Sequence, residues 1–417
     1  MRVAHVLRKY VPREWGGTES VLLRLLRGLR ACGTQGVVFC PRAEGDLGRD
    51  PIAEDGTEVR RYRYFLPISG ISRAQREQLV RLGGNLMSFD LGGQLWREPS
   101  LDVIHSHALN RLGAMAWRVA RRRGIPLVLT IHGGVYDLPE AVRSSLTEPL
   151  KGGFEWGRVF GWLLQSRNLL DNADAVITCN PREAELVAAK HPGKRVVVQP
   201  HGVETARFSE NHVEAARTAF PRLVGKKVVL VVGRVDPAKN QDWVVSQFRE
   251  VLARHPGCLL VLAGACTNPV YRAKLAALVE SSGLAGNVLM TGGIEPGSPV
   301  LAGLMQLSDV LVVPSLSETF GLVILEAWAA GTAVLSSKTS GACSLVQSGV
   351  NGWLFDLAEP AEFHRGLDEI LSNPSRRNAA VELGSRIARD DYDVLVLSRR
   401  IRELYETLVE IKGGNRS

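Results

Sequence analysis

The feature that most constrains this chain is a repeated alternation of a short apolar run, a turn that often carries glycine, and an amphipathic helical pattern. Met1–Leu7 is an apolar strand pattern. Gly16-Gly17-Thr18-Glu19 follows it and opens Ser20–Arg30, with leucines at 22, 23, 25, 26 and 29. The alternation recurs at Val103–His105 with Arg111–Arg123, at Pro126–Ile131, and at Ala175–Thr178 with Pro181–Lys190. Short apolar runs interleaved with helices predict βαβ units, in which a parallel sheet is covered by helices on both faces. A second series follows His201-Gly202-Val203. Its strands are Lys227–Val232, Leu259–Ala263, Val288–Met290, Val310–Val313 and Ala333–Ser336, and its helices are Trp243–Arg254, Tyr271–Ser281 and Leu322–Ala330. The chain therefore reads as an α/β protein of two doubly wound, Rossmann-like halves, 1–200 and 201–388. The join lies near Pro200–Arg207, and a closing segment, 389–417, holds the amphipathic run Val394–Lys412.

Composition agrees with two domains. The 417 residues exceed the roughly 250–300 at which one hydrophobic core stops growing. An apolar fraction of 45% with 23% charged residues belongs to a globular chain, neither disordered nor fibrous. The longest apolar runs, such as Val228–Val232, fall far short of the roughly 18 residues that cross a bilayer. Met1–Gly17 carries Arg2, Arg8, Lys9, Arg13 and Glu14 without an apolar stretch, so no signal peptide is expected. Six scattered cysteines without a CxxC predict neither a zinc site nor a disulfide framework, and point to the cytoplasm. Residues 1–205 hold 29 Lys and Arg against 21 Asp and Glu, and the remainder is balanced. Such a basic half suits an anionic membrane face or a phosphorylated substrate, or is simply a solubilising surface. The arginines are dispersed without a nucleic-acid-reading motif, so no nucleic-acid partner is expected.

Four segments carry residue types suited to chemistry. Gly233-Arg234-Val235-Asp236-Pro237-Ala238-Lys239-Asn240 follows an apolar strand. Its glycine permits close backbone approach, and Arg234 and Lys239 offer a fork and a compact charge for a diphosphate. Pro314-Ser315-Leu316-Ser317-Glu318-Thr319-Phe320-Gly321-Leu322 ends a strand and opens a helix, whose first amides can hold phosphate oxygens. Glu318 lies in that turn and Glu326 about one turn into the helix, in an apolar stretch where a buried carboxylate needs a partner. Gly16-Gly17-Thr18-Glu19 lacks the GxGxxG spacing of a dinucleotide site but still permits close backbone approach. Thr130-Ile131-His132-Gly133-Gly134 places a histidine at a strand end, where an imidazole can donate a hydrogen bond or move a proton. His105, His107 and His201 read more simply as structural.

Together these segments resemble glycosyltransferase family 4, the retaining nucleotide-sugar transferases of GT-B fold, over most of the chain. The specific parts are Glu318-x7-Glu326 within SETFGLVILEAWAAG and the Gly233-Arg234 to Lys239 segment. Gly16–Glu19, Ala173–Ile177 and Pro200–Glu204 support them. The resemblance implies two Rossmann-like domains facing a central cleft. The N-terminal half takes the acceptor, the C-terminal half binds the donor, and the last helix crosses back to the first domain. It implies that Arg234 and Lys239 bind the donor diphosphate, assisted by Gly233 and by the Phe320, Gly321 and Leu322 segment. Glu326 would hold the ribose, Glu318 the transferred sugar, and His132 would also contact that sugar. Gly16 and Gly17 would approach the diphosphate. No metal or other cofactor is implied. Ala333 and Gly341-Ala342-Cys343-Ser344 depart from the family pattern beside the donor site, which bears on base and sugar preference.

The expected activity is retaining transfer of a hexosyl unit from a nucleotide diphosphate sugar, UDP favoured over GDP, to a hydroxyl of a glycan or lipid-linked acceptor. Bacterial surface polysaccharide or glycolipid synthesis is the expected setting. A nucleotide-sugar epimerase or hydrolase, or a non-catalytic binding protein, uses the same fold. Arg60-Arg61-Tyr62-Arg63-Tyr64-Phe65 and the aromatic Phe154–Leu170 suggest peripheral contact with an anionic membrane. A core helix is the simpler reading of Phe154–Leu170.

Overall fold

The computed structural model describes residues 1–417 except 13–15, 44–47, 83, 133–134, 137–149, 151, 267, 296 and 415–417. Arg13, Glu14, Gly133 and Gly134 of the sequence reading therefore lie outside the described residues. The chain divides into two units, Met1–Pro200 with Leu397–Ser417, and His201–Val396.

The first unit holds seven parallel strands: β1 (Arg2–Val6), β2 (Gln35–Pro41), β3 (Glu58–Tyr62), β4 (Val103–Ser106), β5 (Leu127–Ile131), β6 (Ala175–Thr178) and β7 (Val196–Val198). Their order is β3-β2-β1-β4-β5-β6-β7. The second unit holds six: β8 (Lys227–Val232), β9 (Cys258–Ala263), β10 (Val288–Gly292), β11 (Val310–Val313), β12 (Ala333–Ser337) and β13 (Trp353–Phe355), in the order β10-β9-β8-β11-β12-β13. Each sheet is doubly wound from its first strand outward. The central strands β1, β4, β5 and β6 of the first sheet and β8, β9, β11 and β12 of the second are almost wholly buried, and β5, β8, β9 and β11 are accordingly near-continuous apolar runs.

Helices begin where caps dictate, not where apolar periodicity begins. Pro269–Ser281 starts two residues before the apolar pattern because the Asn268 side chain accepts the Tyr271 N–H at 3.0 Å. Asn180 does the same for Pro181–Lys190, accepting from Glu183 at 2.8 Å. The final helix spans Val394–Gly414, and from Leu397 onward it belongs to the first unit. There Ile401, Tyr405 and Leu408 pack with Val3, Leu29, Val103 and Val128.

Two expectations change. The segment Arg60–Tyr62 lies in edge strand β3, where Arg60 is exposed but paired. Arg60 pairs with Glu58 at 2.6 Å, Arg61 pairs with Asp50 at 2.9 Å, and the buried Tyr62 donates its hydroxyl to the Leu7 carbonyl at 2.7 Å. Conversely, Phe154–Leu170 is not a core helix. Its helix, Arg158–Leu163, buries none of its residues, and Trp162 is 78% exposed.

In the second unit, helix Pro374–Asp391 lies against helix Leu322–Ala329 through Gly384. A Cβ at Gly384 would come within 2.6 Å of the fully buried Trp328 ring, whose Nε1 donates to the Asn351 carbonyl at 3.0 Å. The ring is pinned, so Gly384→Ala is expected to destabilise this unit by about 1–3 kcal/mol, the usual cost of overpacking. Urea denaturation followed by Trp fluorescence checks this; an unchanged midpoint would refute it.

Candidate active site

In an open parallel sheet the strand order reverses at one point, and the loops leaving the carboxyl ends there part to opposite faces, opening a crevice. In the second unit that point lies between β8 and β11. The loops leaving these strands are the Gly233–Asn240 and Pro314–Gly321 segments picked out in the sequence. Three contacts tie them together. Leu316 N–H donates to the Ala238 carbonyl at 3.0 Å, Asn240 Nδ2 donates to the Pro314 carbonyl at 3.1 Å, and Lys239 Nζ meets Glu318 Oε2 at 2.6 Å. Lys239 and Glu318 are 25% and 19% exposed, a largely enclosed pair.

The local backbone explains the arrangement. Asp236 caps a short 3-10 turn, Pro237–Lys239, by accepting from Ala238 N–H at 3.0 Å. Asn240 then takes the left-handed conformation, φ 56°, and starts helix Gln241–Arg254. Lys239's stem lies over Gly233, where a Cβ would stand 3.4 Å from Lys239 Cδ. Behind it, a Cβ at Gly264 would strike the Gly233 carbonyl at 1.9 Å. Arg234 is 55% exposed and reaches Asp236 at 3.4 Å, while its carbonyl accepts from Gln241 Nε2 at 2.8 Å.

The second loop is anchored from β12 and the helix beyond it, Ser340–Leu345. Ser337 Oγ donates to the Ser315 carbonyl at 2.7 Å, and Gly341 N–H to the Glu318 carbonyl at 2.8 Å. At Gly341 a Cβ would stand 2.4 Å from the Phe320 nitrogen. Phe320 is buried edge-on against His201, centroids 5.1 Å apart, and lies near Tyr392. Gly321, at φ 95°, turns the chain into helix Leu322–Ala329. Leu322 is half-buried at the helix start, where amides have no partner within the helix. Glu326 is also half-buried, which differs from the buried carboxylate read from the sequence. The apolar stretch around it divides by face: Ile324, Leu325, Ala327 and Trp328 turn inward.

In the first unit, Gly16 and Gly17 stand at the start of helix Gly17–Ala31. The Gly16 N–H is already taken by the Glu19 carboxylate at 3.1 Å, so this helix start carries its own anion. His132 follows β5 and meets His107, with Nε2 and Nδ1 2.7 Å apart. His107 Nε2 lies 3.1 Å from His5 Nδ1. Burial pushes the His5 imidazole down to about 3 and that of His132 to about 4, and holds His105 well below the usual range. One ring nitrogen from each of His5, His105 and His107 lies within 4.8 Å of the other two, a spacing that a metal ion can use. However, both His105 nitrogens are engaged at 2.6 Å, by the Tyr405 hydroxyl and by Thr130 Oγ1.

Sequence reading missed the supports: Gly264, Ser337, and Gly341 as a packing glycine. It also missed His5, although β1 and β4 become neighbours once a doubly wound order is assumed, which sets His5 beside His105.

Comparison with known proteins bears on these loops. Residues 213–386 match the model of "Glycosyl transferases group 1", and residues 16–202 match "Glycosyl transferase 4-like domain". A D-inositol 3-phosphate glycosyltransferase of Thermobispora bispora is 31% identical over 414 residues, covering 95% of this chain and 90% of that protein. The enzyme of the same name from Acidothermus cellulolyticus is 32% identical over 372 residues, covering 85% and 78%. The crystal structure of HepE from Anabaena in complex with UDP-glucose superposes with a TM-score of 0.72 at 18% identity, covering 98% of this chain and all of that one. Both halves of the chain are thus accounted for by one enzyme class, and the protein belongs to glycosyltransferase family 4, with the GT-B fold.

Proposed function

We propose that this enzyme transfers a hexosyl group from a UDP-sugar, with retention at the anomeric carbon, to a hydroxyl of a phosphorylated polyol. The observation that carries the donor side is the enclosed Lys239–Glu318 pair at the β8/β11 reversal. When the donor binds, Lys239 exchanges this carboxylate for the diphosphate and Arg234 turns from Asp236 to join it. Glu318 is released to the sugar hydroxyls, Glu326 holds the ribose, and the Gly321 and Leu322 amides add donors. As the bond from the anomeric carbon to the diphosphate breaks, negative charge grows where these cations and amides converge. The acceptor oxygen bonds on the same face and passes its proton to the departing diphosphate oxygen. The cations supply the charge that a metal ion would otherwise bring. UDP is supported by the fold's likeness to HepE, crystallised with UDP-glucose. The acceptor class is supported by the inositol-phosphate enzymes among the relatives and by the Arg-rich first 205 residues.

A glycan- or lipid-linked acceptor is the second reading, favoured by exposed aromatic residues. Phe154, Trp156 and Trp162 are 70%, 42% and 78% exposed, and exposed Arg158 and Arg167 lie in the same segment. Aromatic and aliphatic side chains beside arginines suit the interface of an anionic bilayer.

Turnover of UDP-glucose is expected only when an acceptor is added, and NMR of the product is expected to show the donor's anomeric configuration. Turnover without acceptor would instead point to a hydrolase or epimerase. Lys239→Ala is expected to lower kcat by about 10²–10³, as for the loss of one donor aimed at developing charge; a kcat within threefold of wild type would remove Lys239 from the site. Gly341→Ala displaces Phe320 and Glu318, and titration calorimetry is expected to show UDP affinity falling about tenfold, for about 1.4 kcal/mol. With vesicles rich in anionic lipid, the wild type is expected to pellet and a Phe154/Trp156/Trp162→Ala triple variant to remain in solution. Equal behaviour would discard the membrane reading.

A further inference from the structure

Where β8 and β11 part, the sheet stops supplying hydrogen bonds before the chain stops needing them. The register pairs of β8 with β11 end at Leu230 and Leu311. On its other side the chain leaving β8 stays bonded past the end of β9. Gly233 N–H donates to the Ala263 carbonyl and Val235 N–H to the Ala265 carbonyl, both at 2.9 Å. In extended chain the peptide groups of successive residues face opposite neighbours, so Arg234, between these two, presents its carbonyl to the side from which β11 has parted.

The start of helix Gln241–Arg254 fills that gap from both directions. Two successive side-chain amides each take a carbonyl from one of the parting segments: Asn240 Nδ2 donates to Pro314 at 3.1 Å, and Gln241 Nε2 to Arg234 at 2.8 Å. Gln241 is 1% exposed. A carbonyl only accepts, so the amide must turn its NH2 group to Arg234. The Oε1 left on the other side is buried without a hydrogen-bond partner. A half-satisfied buried amide is a poor stabiliser, and an apolar side chain of similar length would serve the fold better. What Gln241 contributes is therefore the carbonyl it holds. Arg234 needs that hold, because its guanidinium is 55% exposed and its ion pair with Asp236 is long, at 3.4 Å. The backbone, more than this side-chain contact, sets where the fork points.

We propose that Gln241 is a positioning residue for donor binding: by holding the Arg234 carbonyl it fixes the direction from which the Arg234 fork reaches the diphosphate. This deepens the proposed function and rests on the reading that Arg234 binds that diphosphate.

The test is a double-mutant cycle on the full chain, read by titration calorimetry with UDP and GDP as probes, the tighter of the two being carried through. Gln241→Met removes the donor and keeps the length of the side chain. It is expected to weaken nucleotide binding about tenfold, as for one lost hydrogen bond, with a urea midpoint equal to or above that of the wild type. Arg234→Ala is expected to weaken binding by about tenfold or more, and in that background Gln241→Met is expected to cost less than about twofold, since the group it positions is gone. Gln241→Leu repeats the cycle with a second donor-free side chain, so that one poorly folded variant does not decide the outcome. Equal losses from the Gln241 substitutions with and without Arg234, or a loss of affinity accompanied by a lower urea midpoint, would assign Gln241 to packing and overturn the proposal. Unchanged affinity in both Gln241 variants would also overturn it and leave the role of Arg234 standing. An Arg234→Ala variant that binds as tightly as the wild type, or a wild type that binds neither nucleotide, would overturn the donor reading, and the proposal would fall with it.

Discussion

The site depends on one topological constraint: the reversal of strand order beside the first strand of each sheet. Parallel strands joined by right-handed crossovers keep their helices on one face while the order runs one way and move them to the other face once it reverses. Two loops at the reversal are therefore left without a helix between them. In the second unit these are the loops after β8 and β11, and main-chain contacts stitch them at Leu316–Ala238 and Pro314–Asn240. The Lys239–Glu318 pair is the charged part of that stitch. Desolvation offsets much of the Coulomb gain in an enclosed pair, so this one adds little to stability. It is suited to exchanging its partners for those of an anionic ligand.

Close backbone approach is what holds these loops in register. Gly264 lets β9 pass against Gly233, Gly233 lets the Lys239 stem cross the end of β8, and Gly341 lets the helix after β12 grip the Glu318 and Phe320 backbone. None of the three has a side chain that carries chemistry. Each keeps a side chain that does within reach, which is why their loss would be felt in binding before it is felt in folding. The first unit fills its reversal point instead with imidazoles whose ring nitrogens meet one another.

Much of the architecture was legible because buried parallel strands announce themselves. Ala175–Thr178, Lys227–Val232 and Val310–Val313 are read from apolar runs with the bounds the structure shows. Not every edge strand was legible, although β10 was. β3, Glu-Val-Arg-Arg-Tyr, is half polar because one side of it has no neighbouring strand, and its arginines looked like open surface until Asp50, Glu58 and Glu98 were seen beside them. The helix Arg158–Leu163 failed in the opposite sense. Its aromatics look like core by composition, yet the sheet face they would cover is already filled by Leu112, Ala116 and Leu169.

The sequence by itself determined the reaction class. Arg234, Lys239, Glu318 and Glu326 sit at strand ends and a helix start whose local conformations follow from their own glycines, prolines and caps, and local conformation is written in neighbouring residues. Only the tertiary structure decided which of these groups touch. It pairs Lys239 with Glu318, separated by 79 positions, and joins His5 to His107 across 102. Contacts over such spans depend on which strands lie side by side and on what a missing Cβ allows to approach, and neither is encoded within any short stretch of chain.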